Sequence, residues 1–453
     1  MKSKKGIFIA LFVILAVVFQ LMTPIAVLAQ EETPPTTEEP VVEDPTQPEE
    51  PVYLPEVMEL APEGTELVVL NSEGEAEPLA TEVVSVIIGT GVAWWCPEDV
   101  QPGGAGCTLA QPSLTSLITT INAGTYAGNG TIYISNAYTG TGDGAIIDFD
   151  NDGALSDLGA LTVQGGWDTV AGTVNGTTTF TGQSLDFTWY YDLAINDLTF
   201  VNSPGNALYI EGYGTTDGTT FTPADVAIDN VTVQGGDPTT IGVFVHSEGD
   251  IVVHNLDVSG ADTGAQLGTY PDADVTVTNS SFTANEAGLT VLTFPMVLGL
   301  ESASQETTDP PETPWGTITL SNVVASNNDW YGAMLMSASD VNISHSVFSN
   351  NGALSDGEGG GLGIWMLLPG TITLDYVDAS NNNSVGLWVV YLPFIPQMGG
   401  GAETAEPFEL PETMTMTVVC STFNDNSQVG FMLDSMDPAV TVDFIDTEAT
   451  GNG

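Results

Sequence analysis

From Leu193 onward, short apolar–x–apolar pairs recur along the chain, starting at Leu193, Val226, Ile251, Val275, Ile318, Val341, Ile372, Met416 and Val440. Their successive separations are 33, 25, 24, 43, 23, 31, 44 and 24 residues. A base step near 24 residues, lengthened at some turns by insertions, is what one turn of a solenoid produces. With the starts superposed, as in VTVTNSSFTAN, VNISHSVFSNN and MTVVCSTFNDN, positions 0 and 2 are apolar throughout, as a strand with one buried face requires. A second inward position falls seven residues past the start, at Phe200, Val233, Val258, Phe282, Ala325, Phe348, Ala379 and Phe423. Ten past the start, five units carry asparagine: Asn285, Asn328, Asn351, Asn382 and Asn426. Stacked amides can hydrogen-bond from turn to turn, and asparagine tolerates the left-handed backbone of a tight corner. Gly288, Gly332, Gly386 and Gly430 then lead into the apolar segments GLTVL, GAMLM, GLWVV and GFMLD. Each unit thus supplies two short strands and a corner, which makes a coil and not a βαβ unit.

Upstream the pattern changes. PSLTSLITTI sets Leu114, Leu117, Ile118 and Ile121 at helical spacing behind a Ser113 cap, predicting an amphipathic helix of about three turns. Placed before the first strands, it would act as a lid on the open end of a β stack. Residues 66–112 form a small cap-side region in which Cys96 and Cys107 enclose the Pro/Gly-rich loop PEDVQPGGAG and are expected to be bridged. Cys420 is expected to pack inside a turn of the coil. Residues 30–65 are rich in Glu, Pro and Thr and read as an extended linker. Residues 1–29 have a basic start, an apolar run and small residues at Val27–Ala29, the layout of a secretory signal peptide. The last unit starts at Val440 with no partner strand after it, so a truncated coil that continues in a longer chain, cover by another subunit, or end-to-end self-association is expected there.

Over about Gly130 to Gly453 these repeats resemble the right-handed parallel β-helix family of pectate-lyase-like proteins. The resemblance implies an all-β chain, a right-handed parallel β-helix solenoid with an N-terminal capping helix, over residues 113–453. It is functionally generic, because the same coil carries lyases, hydrolases and non-catalytic adhesin-like surface proteins. The enzymatic members of the family imply residues that this chain lacks. A pectate-lyase arginine or lysine base has no counterpart, and the Asp-Asp, Gly-His-Gly and Arg-Ile-Lys steps of polygalacturonase-like hydrolases do not occur.

Charge narrows the partners. The chain holds three Lys+Arg, all of them in Lys2, Lys4 and Lys5, against 59 Asp+Glu. Nucleic acid is excluded, since gripping a phosphate backbone needs Lys or Arg. The carboxylates must be relieved by screening, protonation or bound cations, which makes calcium a candidate cofactor. The best metal signal is DFDNDGALSD, where Asp148, Asp150 and Asp152 alternate before Gly153, with Asp157 as a substitute for the missing distal glutamate. His246, His254 and His345 have no histidine partner at ligand spacing and read as structural. No serine stands in a nucleophile elbow.

Three units lengthen just after the Gly-apolar strand. Equivalent positions of a coil lie on one side, so these insertions would gather Phe294, Met296, Trp365, Met366, Trp388, Tyr391 and Phe394 into an aromatic patch for carbohydrate or a cell-surface protein. The reading from sequence is a secreted or cell-surface, non-catalytic β-helix that displays loops for adhesion or for binding a carbohydrate or protein partner, with no membrane span after signal cleavage. The alternative is a polysaccharide-active lyase or hydrolase with an acid-only site, which would need two facing carboxylates on one face. Because no Lys or Arg follows Lys5, trypsin is expected to leave residues 6–453 intact even after denaturation. Intact-mass analysis of the digest checks this.

Overall fold

The computed structural model describes residues 69–70, 76–77 and 91–453, except 154, 218–219, 237–238, 271, 294–315, 354–358, 392–412 and 436–439. The signal-peptide and linker assignments lie outside these residues. By its contacts the chain divides into two units, Met1–Val86 with Val297–Gln305, and Ile87–Met296 with Glu306–Gly453. Of the first, only an antiparallel pair is described, Val69–Leu70 against Ala76–Glu77. The second unit is the coil.

That coil is a right-handed parallel β-helix built on a 15-stranded and a 10-stranded sheet. A third, narrow ladder of isolated parallel bridges joins Ser281, Val324, Val347, Asp378, Thr422 and Glu448. Each turn of chain contributes one strand to each long sheet, so equivalent residues of successive turns stack in register. Leu193 pairs with Val226, Val226 with Ile251, Ile251 with Val275, and Val275 with Ile318. The series continues through Val341, Ile372 and Met416, as their spacing in the sequence predicts. The last step differs: Met416 pairs with Val442, and Val440 pairs with Met414. A shift of two residues keeps the same face inward, so the apolar pattern alone cannot separate Val440 from Val442 as the start.

Inside, Phe149, Phe180, Phe187, Phe200, Phe282, Phe348 and Phe423 are fully buried. Their rings stack where turns adjoin, with centroids 4.6 Å apart for Phe149–Phe187 and 5.2 Å for Phe180–Phe200. The asparagine column is a continuous buried ladder. Backbone N–H groups of Asn285, Asn328, Asn351 and Asn382 donate to the side-chain oxygen of the next asparagine at 2.9–3.0 Å, and Asn452 extends the series by accepting from Asn426. Side-chain amides also donate back to core carbonyls, as Asn328 does to Phe282 at 3.0 Å and Asn351 to Ala325 at 3.1 Å.

The left-handed corner expected at these asparagines belongs instead to the residue before each: Ala284, Asn327, Asn350, Asn381 and Asp425, with φ between 54° and 60°. The preceding residue makes the turn, which leaves the ladder side chain free to point inward. Glycine completes the device. A Cβ on Gly264, Gly288, Gly332, Gly361, Gly386 or Gly430 would stand 2.6–2.9 Å from a ladder amide nitrogen.

A second left-handed column lies four residues past each strand start, from Asp197 through Asn230, Asn255, Asn279, Asn322, His345 and Tyr376 to Cys420 and Asp446. Cys420 therefore stands half-buried at a corner, with φ 48°, and not inside a turn of the coil.

At the N-terminal end, Ala93–Pro97 runs antiparallel to Gly128–Ser135, and Cys96 is disulfide-bonded to Cys107. Helix α1 (Leu114–Ala123) has Ser113 as its N-cap, and Leu114, Leu117 and Ile121 are buried in the main core. The Asp143 carboxylate accepts the N–H groups of Leu114 and Thr115 at 3.0 and 2.7 Å, so an anion sits at the positive end of the helix.

Replacing Asn351 by Ala should strand the backbone N–H of Asn328 and the Ala325 carbonyl in the interior and destabilise the coil by about 3 kcal/mol. Urea unfolding of Asn351→Ala beside an outward control, Thr373→Ala, checks this.

Candidate functional site

Titratable and aromatic side chains gather on the outward face of the 10-stranded sheet. In its first strands, Ile146–Asp150, Ser184–Trp189, Leu208–Gly212 and Ile241–Ser247, alternate residues point into the core and the rest point out. Register sets the outward residues in two adjacent columns. One runs Asp148, Asp186, Tyr209, Phe244; the other runs Asp150, Thr188, Glu211, His246. Tyr190, Tyr213, Glu248 and Tyr270 follow just past the strand ends and border the same face.

Asp148 and Asp186 face each other on neighbouring strands, and neither carboxylate has a hydrogen-bond donor among the described residues. Burial, together with the charges of Asp148 and Glu211, pushes Asp186 up to about 6. Asp148 is also raised, by partial burial and by Asp150. Glu211 is held differently: the Tyr209 hydroxyl donates to Oε1 at 2.6 Å and the Tyr213 hydroxyl to Oε2 at 2.9 Å. Burial and Glu211 raise both phenols, which keeps them protonated as donors. Beside Glu211, burial outweighs the attraction of Glu211 and Glu248 and lowers His246, so its imidazole is neutral at pH 7.

Aromatic rings border the cluster. Tyr209 stacks on Phe244 with centroids 4.8 Å apart, Tyr190 on Tyr213 at 5.4 Å, and His246 tilts against Tyr270 at 5.2 Å. His246 lies over Gly268, where a Cβ would stand 3.3 Å from its ring.

Further along the same face, Trp365 and Trp388 meet edge to face at 5.5 Å. The Trp365 ring covers Gly363, and the Trp388 indole N–H donates to Asp434 at 3.1 Å. Trp365 is 7% exposed and Trp388 is half-buried. Tyr391 and Met366, expected beside them, are buried in the core instead, because their strands extend to those residues and period-2 alternation turns them inward. Phe294, Met296 and Phe394 lie outside the described residues.

The acidic loop is built as strand and turn. Asp148 and Asp150 belong to the strand; the Asp150 carboxylate accepts the N–H of Asp152 at 2.8 Å, and the Asn151 amide donates to the carbonyls of Leu155 and Leu158. Asp152 and Asp157 are exposed in this turn. Among the described residues no group of three or more His, Cys, Asp and Glu side chains stands in metal-ligating geometry. His254 pairs with Asp229 at 2.8 Å on the other long sheet, and His345 stacks on Tyr376.

Sequence reasoning passed over Asp186, Tyr209, Glu211 and Tyr213. Superposing the second strand of each early unit, SLDFTWYY, ALYIEGY and GVFVHSE, would have put them in columns. No helix among the described residues is long and apolar enough to cross a membrane.

No protein-family model and no curated protein matches the chain. Solved structures with a similar coil include the mannuronan C-5 epimerase AlgE4 A-module of Azotobacter vinelandii, at TM-score 0.41 and 15% identity over 74% of this chain and 91% of that one. The periplasmic alginate epimerase AlgG gives TM-score 0.35 and 10% identity over 73% and 87%. At these identities the likeness is one of fold.

Because Asp186 holds its proton more tightly in the fold than an ordinary carboxyl of pKa 3.8, the folded chain binds more protons than the unfolded chain between about pH 4 and pH 6. Stability should therefore fall as pH rises through that window and level off above it. In Asp186→Asn this component should vanish, as thermal unfolding from pH 3.5 to 7.5 would show.

Proposed function

We propose that the chain is an exported polysaccharide-active protein that cleaves a glycan laid across the outward face of the 10-stranded sheet, with Asp186 as general acid and Glu211 as general base. The observation that carries this reading is the pair of carboxylates in different environments on one face. Burial and like charge push Asp186 up to about 6, and Glu211 accepts hydrogen bonds from two tyrosine hydroxyls. A raised carboxyl beside a second carboxyl group fixed by hydrogen bonds is an arrangement that acid–base catalysis uses. Export is supported by the signal-like start and by the Cys96–Cys107 bridge.

Asp186 and Glu211 lie on adjacent strands, two positions out of register. Strand spacing and rise put their Cα atoms about 8 Å apart, so the two side chains leave the same face of the sheet side by side, and the water-adding, inverting course is the one written here. Asp186 would give its proton to the glycosidic oxygen as the bond from the anomeric carbon breaks. Glu211 would take a proton from the water that adds to that carbon. One water is consumed, and solvent exchange restores both groups. A lyase reading is weaker, because abstraction next to a uronate requires its carboxylate to be neutralised and no Lys or Arg follows Lys5.

The stacked rings of Tyr209 and Phe244 and the half-buried Trp388 offer apolar surface for sugar rings along the same sheet. From Asp186 to Trp388 the column spans seven strand steps, roughly 34 Å, enough for an extended oligosaccharide.

Reducing-end release from neutral, amino-sugar, N-acetylated and uronate polymers tests the proposal. Cleavage of one of them, with kcat reduced about 100-fold or more in Asp186→Asn and in Glu211→Gln, is the expected outcome. Retention of a polymer that Glu211→Gln weakens, with no bond cleaved by the wild type, would replace it with the non-catalytic display reading.

A further inference from the structure

The charge balance of this face specifies the sugar. Asp148, Asp150, Asp186 and Glu211 occupy two adjacent columns over three strands, with Glu248 at the border. Among the described residues they face no basic group other than His246, whose imidazole burial keeps neutral. Along one column beside the other long sheet, stacked acids are relieved by the backbone. Asp192, Asp225, Asp250 and Asp274 each accept an N–H from the next turn at 2.6–3.1 Å. The Asp148 and Asp186 carboxylates receive no such donor, so their hydrogen-bonding capacity points outward, at the position a ligand would take. Aromatic faces stand on both sides, Tyr209 on Phe244 and Tyr190 on Tyr213, and such faces attract cations as well as sugar rings.

We infer that the polysaccharide bound here is cationic, a polymer of amino sugars with free ammonium groups, in which Asp148 receives an ammonium group and the tyrosine rings stack on the sugars. This rests on the preceding functional reading and narrows it. A uronate chain would add anions to an unneutralised face, and a neutral chain would leave its charge uncompensated. The inference also bears on specificity: acetylating the amines would remove the charge while keeping the ring shape, so binding should discriminate between the two forms.

The experiment is a binding titration at pH 7 and low salt with a glucosamine oligomer, its N-acetylated form, a uronate oligomer with and without calcium, and a neutral glucan. The glucosamine oligomer should bind at least about tenfold more tightly than the others, and 0.5 M salt should weaken it. Asp148→Asn should lower the affinity about tenfold, whereas the double variant Asp192→Asn/Asp225→Asn, which removes more charge from the other sheet, should leave it unchanged. Any polycation is drawn to a chain of this net charge, so equal losses in both variants would mean bulk attraction and overturn the inference. Preferred binding of the neutral, acetylated or uronate oligomer, weakened by Glu211→Gln, would overturn the amino-sugar assignment and leave the face as the glycan site. If no oligomer binds, both the assignment and the functional reading fail.

Discussion

Strict register between parallel turns is the constraint on which the rest of this molecule depends. Once Leu193 is fixed over Val226 and each later start over the next, every side chain has its own equivalents above and below. A favourable stack is then repeated along the coil, and so is an unfavourable one. The interior uses this with phenylalanine rings and with a ladder of asparagines whose oxygens take backbone N–H groups that no sheet reaches. The ladder in turn requires glycine at the facing strand starts, where a Cβ would meet the amide nitrogen. Sequence repeat, buried hydrogen bonding and glycine placement are thus one requirement expressed at three positions.

The same register makes charge a problem, because an acid repeated on one face stands next to itself, and no Lys or Arg follows Lys5 to relieve it. The coil handles several such acids with backbone dipoles. Asp143 sits on the N-terminus of the helix, Asp168 takes the N–H groups of Val170 and Ala171 and is lowered by them, and the Asp192-to-Asp274 column bonds turn to turn. Asp148 and Asp186 depart from this habit, as does Glu286, which Asp262 and Asp329 raise. Asp148 and Asp186 are stacked, partly buried and without donors, and Asp186 is raised instead of lowered. Acids that the fold leaves unrelieved, when it relieves similar ones nearby, mark a place where something other than folding set the sequence.

Much of the fold was legible because it is written at period two within strands and near 24 residues between turns. The pairing of Leu193 through Met416 and the asparagine column could both be read from spacing. The site was not legible in the same way, for a physical reason. Its residues point outward from the second strand of each early unit, where packing sets only every other position and the outward ones vary freely, as Asp186, Tyr209 and Phe244 do within a single column. Tyr391 shows the converse difficulty. An aromatic residue ahead of a long insertion reads as part of a loop, but the strand runs on to it, and alternation then sends the ring into the core. The left-handed column at Tyr376 and Cys420 was hidden because those residue types seldom adopt such a backbone, whereas the Asn, Asp and His of the other turns do.

Glycine links the two ends of the outward face. At Gly268 and Gly363 the column lacks a side chain, and in each case a neighbouring ring, His246 or Trp365, lies down over the gap. An outward glycine weakens a strand, and nothing in the corner or the ladder needs one at these two positions. What each leaves is room for the neighbouring ring, which a Cβ would crowd at 3.3 Å for His246 and 2.9 Å for Trp365. The titratable half and the tryptophan half of the face therefore use the same device on the same sheet, which fits a single extended ligand lying along both better than two unrelated features.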